Sequence, residues 1–361
     1  MSEPTSTHPI AGAGTSTPAF IGPVAGLREP TLIQDWPDFS VRLRPKAAAS
    51  SHLPDAVRAY FENGGGACYL IPVDGLGYGT GLVALEAIDV QMVVAPDLWS
   101  GTGEDAFGIA QAVAGHCVKM GNRMAILHTP GGFNPQQAID FPKTLGFDEP
   151  ARQFTAVYHP WVIVPRNDGE SALVPPSGHV AGVWARVAVT RGIHYAPTDQ
   201  PLKGITGLQH ALTDRQSERM RAAGVNCVLP APGQTLRVWG ARTLSAETNW
   251  KHINVRRLVN YLGESIRQSA NWAAFEPDIE SLWAALRYNV SSFLTGQWHQ
   301  GTLLGLTADE AFYVICDATN NPVNNGHIIC DIGVAPVRPA EFVHFTITQT
   351  VGDRLQRIDD L

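Results

Sequence analysis

Charge is scarce in this chain. Of its 361 residues, 16% are Asp, Glu, Lys or Arg, against a usual ~25%. The 26 basic and 33 acidic residues leave a formal net charge of −7. No run of Lys or Arg occurs, so the basic footprint of a nucleic-acid binder is missing. Long apolar runs are missing too. Stretches such as 90–96 and 161–165 fall far short of the ~20 residues of a spanning helix, which argues against direct membrane insertion. The opening residues MSEPTSTHP have neither the cationic start nor the apolar core of a secretory signal. Cysteine is sparse: Cys68, Cys117, Cys227, Cys316 and Cys330 are widely spaced, with no CxxC or CxxH. Buried free thiols in a reducing compartment are the expectation, in place of zinc or disulfides.

Catalytic signatures are equally thin. The run from Gly75 to Gly81 (GLGYGTG) fails the GxGxxG spacing, and no GxxxxGK[ST] occurs, so it reads as a flexible glycine loop. No G-x-S-x-G elbow exists. Ser177 and His179 stand close in sequence, but a triad needs a third, orienting group, and Ser177 reads better as a helix start. The 12 histidines are scattered, with no HExxH pattern. Glu276, Asp278 and Glu280 flank Pro277 and read as helix-start acids. No enzyme activity, cofactor or metal is therefore expected.

The chain does carry a strand and helix rhythm. Residues 1–19 are rich in Ser, Thr, Pro, Gly and Ala, too polar to offset their own ordering entropy, and read as an arm that orders only against something else. Strand-like runs at 68–73, 88–96, 123–127, 154–164, 225–229 and 236–239 alternate with helical spacing at 105–120 and 175–189. That pattern predicts an α/β domain with a largely parallel sheet. In the last third, Val255, Leu258, Val259, Leu262 and Ile266 form a helical stripe, opposite a face carrying Arg256, Arg257, Glu264 and Arg267. A second helix follows Pro277. Residues 311–316 and 327–332 flank an Asn325-Gly326 hairpin signal. Val343, Phe345 and Ile347 alternate with polar residues as a half-buried strand. The nine tryptophans, five of them between Trp239 and Trp298, read as core and interface anchors.

Several segments together resemble the contractile tail sheath family of myophages, R-type bacteriocins and extracellular contractile injection systems. Residues 12–22 (GAGTSTPAFIG) resemble the family's GVGTSTAAFVG. Residues 32–39 (LIQDWPDF) resemble LITSWxDF, and 57–69 (VRAYFENGGGACY) resemble AVRGFFxNGGxxCYVV. Residues 158–161 (YHPW), 175–182 (PPSGHVAG) and 190–193 (TRGI) follow. The C-terminal third carries 238–244 (VWGARTL), 255–258 (VRRL), Phe275-Glu276-Pro277, 298–301 (WHQG), 332–336 (IGVAP) and 338–342 (RPAEF). A dozen such motifs occur in order across residues 10–350.

The resemblance implies an α/β fold, α+β overall. A subtilisin-like sheath domain without protease chemistry would span 20–240, after an N-terminal arm 1–19. A tube-facing α+β domain with two long helices would span 241–340, and a strand-exchange arm 341–361. It implies a structural subunit, not an enzyme, that polymerises with itself as stacked six-membered rings around an inner tube protein, between baseplate and tail-terminator proteins, with no nucleic acid. Assembly would be cytoplasmic and the product a virion tail or injection particle. Arg256, Arg257 and Arg267 are the tube-facing candidates. Val343, Phe345 and Ile347 mark the inter-subunit arm. Trp239, Arg242, Glu276, Pro277, Trp298, Pro339 and Glu341 are the structural residues of the family motifs, with Arg191 and Arg242 expected in core or inter-subunit salt bridges. Family members begin with a longer arm holding a PGVYVEE-like strand, whereas residues 1–11 alone precede the match here. That difference leaves open a baseplate-proximal or terminal paralogue, and an α/β hydrolase stands as a distant alternative.

Overall fold

Strands buried on both faces need side chains that alternate between two apolar environments, and this chain supplies them. The computed structural model describes residues 8–42, 51–73, 77–100, 106–166, 169–231, 233, 235–275, 279–321, 327–337, 343–350 and 356–358. The order begins β1 (Pro18–Gly22), β2 (Thr31–Ile33), α1 (Trp36–Arg42), α2 (Leu53–Glu62), β3 (Cys68–Pro72), α3 (Gly77–Leu85), β4 (Met92–Val94), α4 (Ala106–Met120), β5 (Met124–His128), α5 (Pro135–Thr144) and α6 (Glu149–Gln153). It continues through β6 (Thr155–His159), β7 (Val162–Pro165), β8 (Ser171–Val174), α7 (Ser177–Arg191), β9 (Gln200–Pro201), β10 (Gly207–Leu208), α8 (Asp214–Ala222), β11 (Val225–Pro230) and β12 (Leu236–Trp239).

These strands form a nine-stranded sheet in the order β2-β3-β1-β4-β5-β6-β11-β12-β9, and a small sheet β10-β7-β8. From β3 to β11 every neighbour is parallel. The edges β2, β12 and β9 are antiparallel. Phe20, Met92, Val94, Met124, Ile126, Tyr158 and Val228 face one way, onto α2 and α7. Ala19, Ile21, Val93, Ala125, Leu127, Val157 and Cys227 face the other, onto α3, α4, α5 and α8. The apolar run at 154–164 is shared between two sheets: β6 lies in the large one and β7 in the small one.

Helix α7 lies against α2 at unusually close range, and glycine makes that possible. A Cβ on Gly178 would stand 2.4 Å from the Ala56 carbonyl oxygen, and one on Gly182 2.5 Å from that of Tyr60. The motif PPSGHVAG is thus a smooth helix face. Helix α3 corrects the reading of 75–81 as a loop, because Gly77 to Gly81 are helical. The lack of side chains serves packing there as well: Gly81 sits where a Cβ would be 3.1 Å from Ile21 and 3.2 Å from Ile71.

The remaining elements are α9 (Ile253–Ser269), a 3₁₀ turn (Asn271–Phe275), α10 (Ile279–His299), α11 (Ala308–Ala311) and the strands β13 (Phe312–Ile315), β14 (His327–Val334), β15 (Val343–Thr350) and β16 (Gln356–Ile358). The four strands make an antiparallel sheet in chain order. Two compact units divide the chain: residues 14–257, and residues 8–13 with the described residues from Leu258 onward. The division falls inside α9, later than the 240/241 boundary read from sequence. The Arg242–His252 bridge and the first turn of α9 pack with the first unit. Within the second unit the polar arm is tied down. His8 N donates to Asn289 Oδ1 at 3.2 Å, Ala11 N to Ser269 Oγ at 3.2 Å and Ala13 N to Ser265 Oγ at 2.9 Å. The His8 ring stacks on Trp272 at 4.2 Å. What orders this stretch is its own chain.

Burial also sets a pH dependence. His128 is pushed down to about 3, by burial first and His52 second, and His179 to about 4 by burial. Both are neutral in the folded state and protonate near 6.5 when unfolded. The unfolded state therefore binds more protons below that pH, and stability falls as pH drops. Chemical denaturation between pH 7 and pH 5 is expected to lose about 1 kcal/mol per pH unit for each such histidine below 6.5, and His179→Gln to flatten the slope. In the same assay Gly182→Val should cost more than ~2 kcal/mol by overpacking α7 on α2.

Candidate functional site

The helix expected to face a partner is α9, and its arginines do not lie where the sequence put them. Arg256 is 0% exposed and Arg257 3%. The Arg256 guanidinium lies 4.0 Å over the Trp250 ring and 4.3 Å over Phe154. Arg257 lies 4.9 Å over Trp184, and its Nη2 donates to the carbonyl oxygen of Thr15 at 2.9 Å. Burial lowers the Arg257 pKa to about 10, with Tyr158 beside it raising it. Tyr158 in turn accepts from Trp184 Nε1 at 3.0 Å. A charge can sit here because planar guanidinium is weakly hydrated and stacks on aromatic faces. Arg256 and Arg257 are thus core residues of the protomer, a correction to their reading as a tube-facing surface. The helical stripe told which face was apolar but not that aromatics would cover the other. Trp250, shortly before Arg256 in sequence, was the signal available.

Arg267 behaves differently. Its side chain is 33% exposed, and it pairs with Glu264 through Nε at 2.8 Å and through Nη2. Gln268 Nε2 adds a bond to Glu264 at 2.8 Å.

The motif VWGARTL has a clear physical basis. Asn226, fully buried, receives Arg242 N on Oδ1 at 2.8 Å and donates from Nδ2 to the Arg242 and Val157 carbonyl oxygens. Gly240 crosses this side chain at φ +116°, where a Cβ would stand 2.8 Å from Asn226 Oδ1. Trp239 is half-buried under Arg237 at 4.4 Å. Arg242 is half-buried, and its backbone does the work of the motif. Arg191 is exposed and lies 4.2 Å over Tyr195. Neither Arg191 nor Arg242 is in an ion pair among those found between described residues, and neither is buried, which sets aside the core half of their reading and leaves the inter-subunit half. Trp298 Nε1 donates to the Gly305 carbonyl oxygen at 3.0 Å. Glu276, Pro277, Pro339 and Glu341 lie outside the described residues.

Val343, Phe345 and Ile347 lie on β15, whose backbone pairs with β14 in the register Val343↔Val334, Phe345↔Ile332 and Ile347↔Cys330. The Ser177 hydroxyl and His179 Nδ1 are both buried without a hydrogen-bond partner among the described residues, so no nucleophile–base contact joins them. His179 opens on a 350 Å³ hollow lined by Asp55, Arg58, Glu62 and Lys203. Both acids are already paired, Asp55 with Arg166 and Glu62 with Arg58. Among the described residues no cluster of three His, Cys, Asp or Glu could hold a metal, and no helix is long and apolar enough to cross a membrane.

Arg257→Ala is expected to destabilise the protein by about 2–4 kcal/mol, because it removes the stack on Trp184 and leaves the Thr15 carbonyl unbonded. Urea denaturation would measure it. A purely surface arginine would cost less than ~0.5 kcal/mol.

The model of the phage tail sheath protein central domain matches residues 72–244, and that of the phage tail sheath C-terminal domain matches 245–350. A tail sheath protein of Vibrio phage KVP40 is 26% identical over 189 residues, covering 50% of this chain and 27% of the phage protein. One of Burkholderia phage BcepMu is 31% identical over 145 residues, covering 38% and 30%. The matched part is thus under a third of either phage protein. Among solved structures, the PVC sheath complex of an extracellular contractile injection system, in its contracted state, superposes with a TM-score of 0.76. It is 28% identical, and the match covers 95% of this chain and 94% of that one. The anti-feeding prophage helical sheath in its contracted state gives 0.76 at 25% identity, covering 95% and 96%. With both sheath domains matched in order and the fold shared along nearly its whole length, this chain belongs to the contractile tail sheath family.

Proposed function

We propose that this protein is a sheath subunit that polymerises as stacked six-membered rings around an inner tube and contracts to drive the tube through a target envelope. The likeness to PVC and anti-feeding prophage sheath subunits over 95% of the chain carries this reading. Its partners would be further copies of itself, an inner tube protein, and baseplate and tail-terminator proteins. Assembly would take place in the cytoplasm and the product would be a virion tail or injection particle. The role is structural, not enzymatic. The free energy of contraction would be stored in the extended lattice, with each interface having two packings.

Strand exchange gives a physical route for linking subunits. In the single chain β15 lies between β14 and β16 of its own sheet, with eight residue pairs to β14. The same pairs can form with β14 of a neighbour, so the exchange leaves the backbone bonding nearly unchanged and adds connectivity. Val343, Phe345 and Ile347 would then set register between subunits. Arg267, with Glu264, is the remaining tube-facing candidate. Glu264 is buried and Arg267 one-third exposed, and a surface ion pair from Arg267 to an acidic tube face would be worth ~0–1 kcal/mol, enough to bias register and weak enough to release when the sheath moves.

Two outcomes test this. Electron microscopy of the recombinant protein with its cognate tube protein is expected to give striated hollow cylinders with six-fold end views. Soluble monomers both with and without tube would count against the reading. Removing residues 338–361 should leave the circular dichroism of the first unit in place while abolishing cylinders. Cylinders of normal length from that variant would rule out β15 as the linking strand.

A further inference from the structure

All five cysteines are free and buried, but two of them are not isolated. Continued by one residue beyond the end of β13, the register of the ladder from Phe312↔Val334 to Ile315↔Asp331 puts Cys316 opposite Cys330. The kind of pair follows from the hydrogen bonds. Ala335 N donates to the Ala311 carbonyl oxygen at 2.9 Å, which makes 311/335 a hydrogen-bonded position. Alternation along an antiparallel ladder then makes 313/333 and 315/331 hydrogen-bonded and 312/334, 314/332 and 316/330 non-hydrogen-bonded. Consistent with this, the Cys316 carbonyl oxygen accepts from Arg287 Nη1 of α10.

Residues facing each other at a non-hydrogen-bonded position have Cα atoms ~4.5 Å apart with side chains on one face, within the ~4.4–6.8 Å span a disulfide takes. The neighbouring Cys316 thiol, together with burial, holds Cys330 well above the ordinary thiol range. Cys316 is 0% exposed and Cys330 6%. The other three have no such partner: Cys68 stands opposite Ile33, Cys227 opposite Trp239, and Cys117 lies inside α4.

We propose that Cys316 and Cys330 are a redox modification site, a dithiol that closes to a cross-strand disulfide on meeting a small-molecule disulfide such as oxidised glutathione. The thiolate of one cysteine attacks a glutathione sulfur and expels one glutathione thiolate. The second cysteine attacks the protein sulfur of the mixed disulfide and expels the other. The protein loses two electrons and two protons, and one glutathione disulfide becomes two glutathione thiols. The product is a covalent tie across β13 and β14. Because β15 pairs with β14, the tie would hold the template strand of the sheet in register after the protein leaves a reducing solution.

The test uses the full-length protein, folded throughout, incubated with oxidised glutathione. It is then unfolded and alkylated, and its peptides are read by mass spectrometry without reduction. The expected result is a Cys316–Cys330 cross-linked pair lighter by two hydrogens than its reduced peptides, with Cys68, Cys117 and Cys227 alkylated. The melting temperature of the oxidised protein should rise by about 5 °C over the reduced form, a shift that Cys330→Ser does not display. Alkylation of all five cysteines after this treatment overturns the proposal. So does glutathione retained on either cysteine without cross-linking, or cross-links scattered among the five. The mass measurement on the unsubstituted protein stands even where the variant fails to fold.

Discussion

The close approach of α7 to α2 is the contact on which the first unit depends. A parallel sheet must be covered on both faces, since neither face can be left in water with strands this apolar. On one face α2 and α7 do the covering, and they lie flat together because Gly178 and Gly182 present bare backbone to Ala56 and Tyr60. That approach brings Trp184 over the strands, with no exposure, its indole nitrogen bonded to Tyr158. The ring then forms the floor on which Arg257 stacks. A larger residue at either glycine would lift the helix and remove that floor.

The arginines of α9 extend the same logic. A buried guanidinium without neighbours would be very costly, but aromatic faces and carbonyl oxygens replace part of its hydration. Arg257 reaches the Thr15 carbonyl and so fastens the stretch leading into β1. Asn226 does the equivalent for the turn after β12 by bonding both backbone groups of Arg242. These are polar contacts inside an apolar core, and each fixes a chain segment that has no regular secondary structure of its own.

The second unit is built on a different plan. Its sheet is antiparallel and in chain order, so each of its four strands pairs with a sequence neighbour. The first unit is instead held by parallel pairing between strands distant in sequence.

The sequence by itself determined the alternation of strands and helices, the parallel character of the sheet and the family, because period-two and helical spacing and motif order are local properties. It also marked a strand at 343–348, which the structure extends to Thr350, and the burial of the cysteines. Only the tertiary structure decided what the motifs are for. Gly77–Gly81 is a packed helix, lying against Ile71 of the preceding strand and Ile21 of β1, which is far away in sequence. Arg256 and Arg257 were read as a polar helix face and turned out to be core, because Phe154, Trp184 and Trp250 close over them from three other segments. Helical spacing reports which residues share a face. Whether that face meets water depends on what the rest of the chain packs against it.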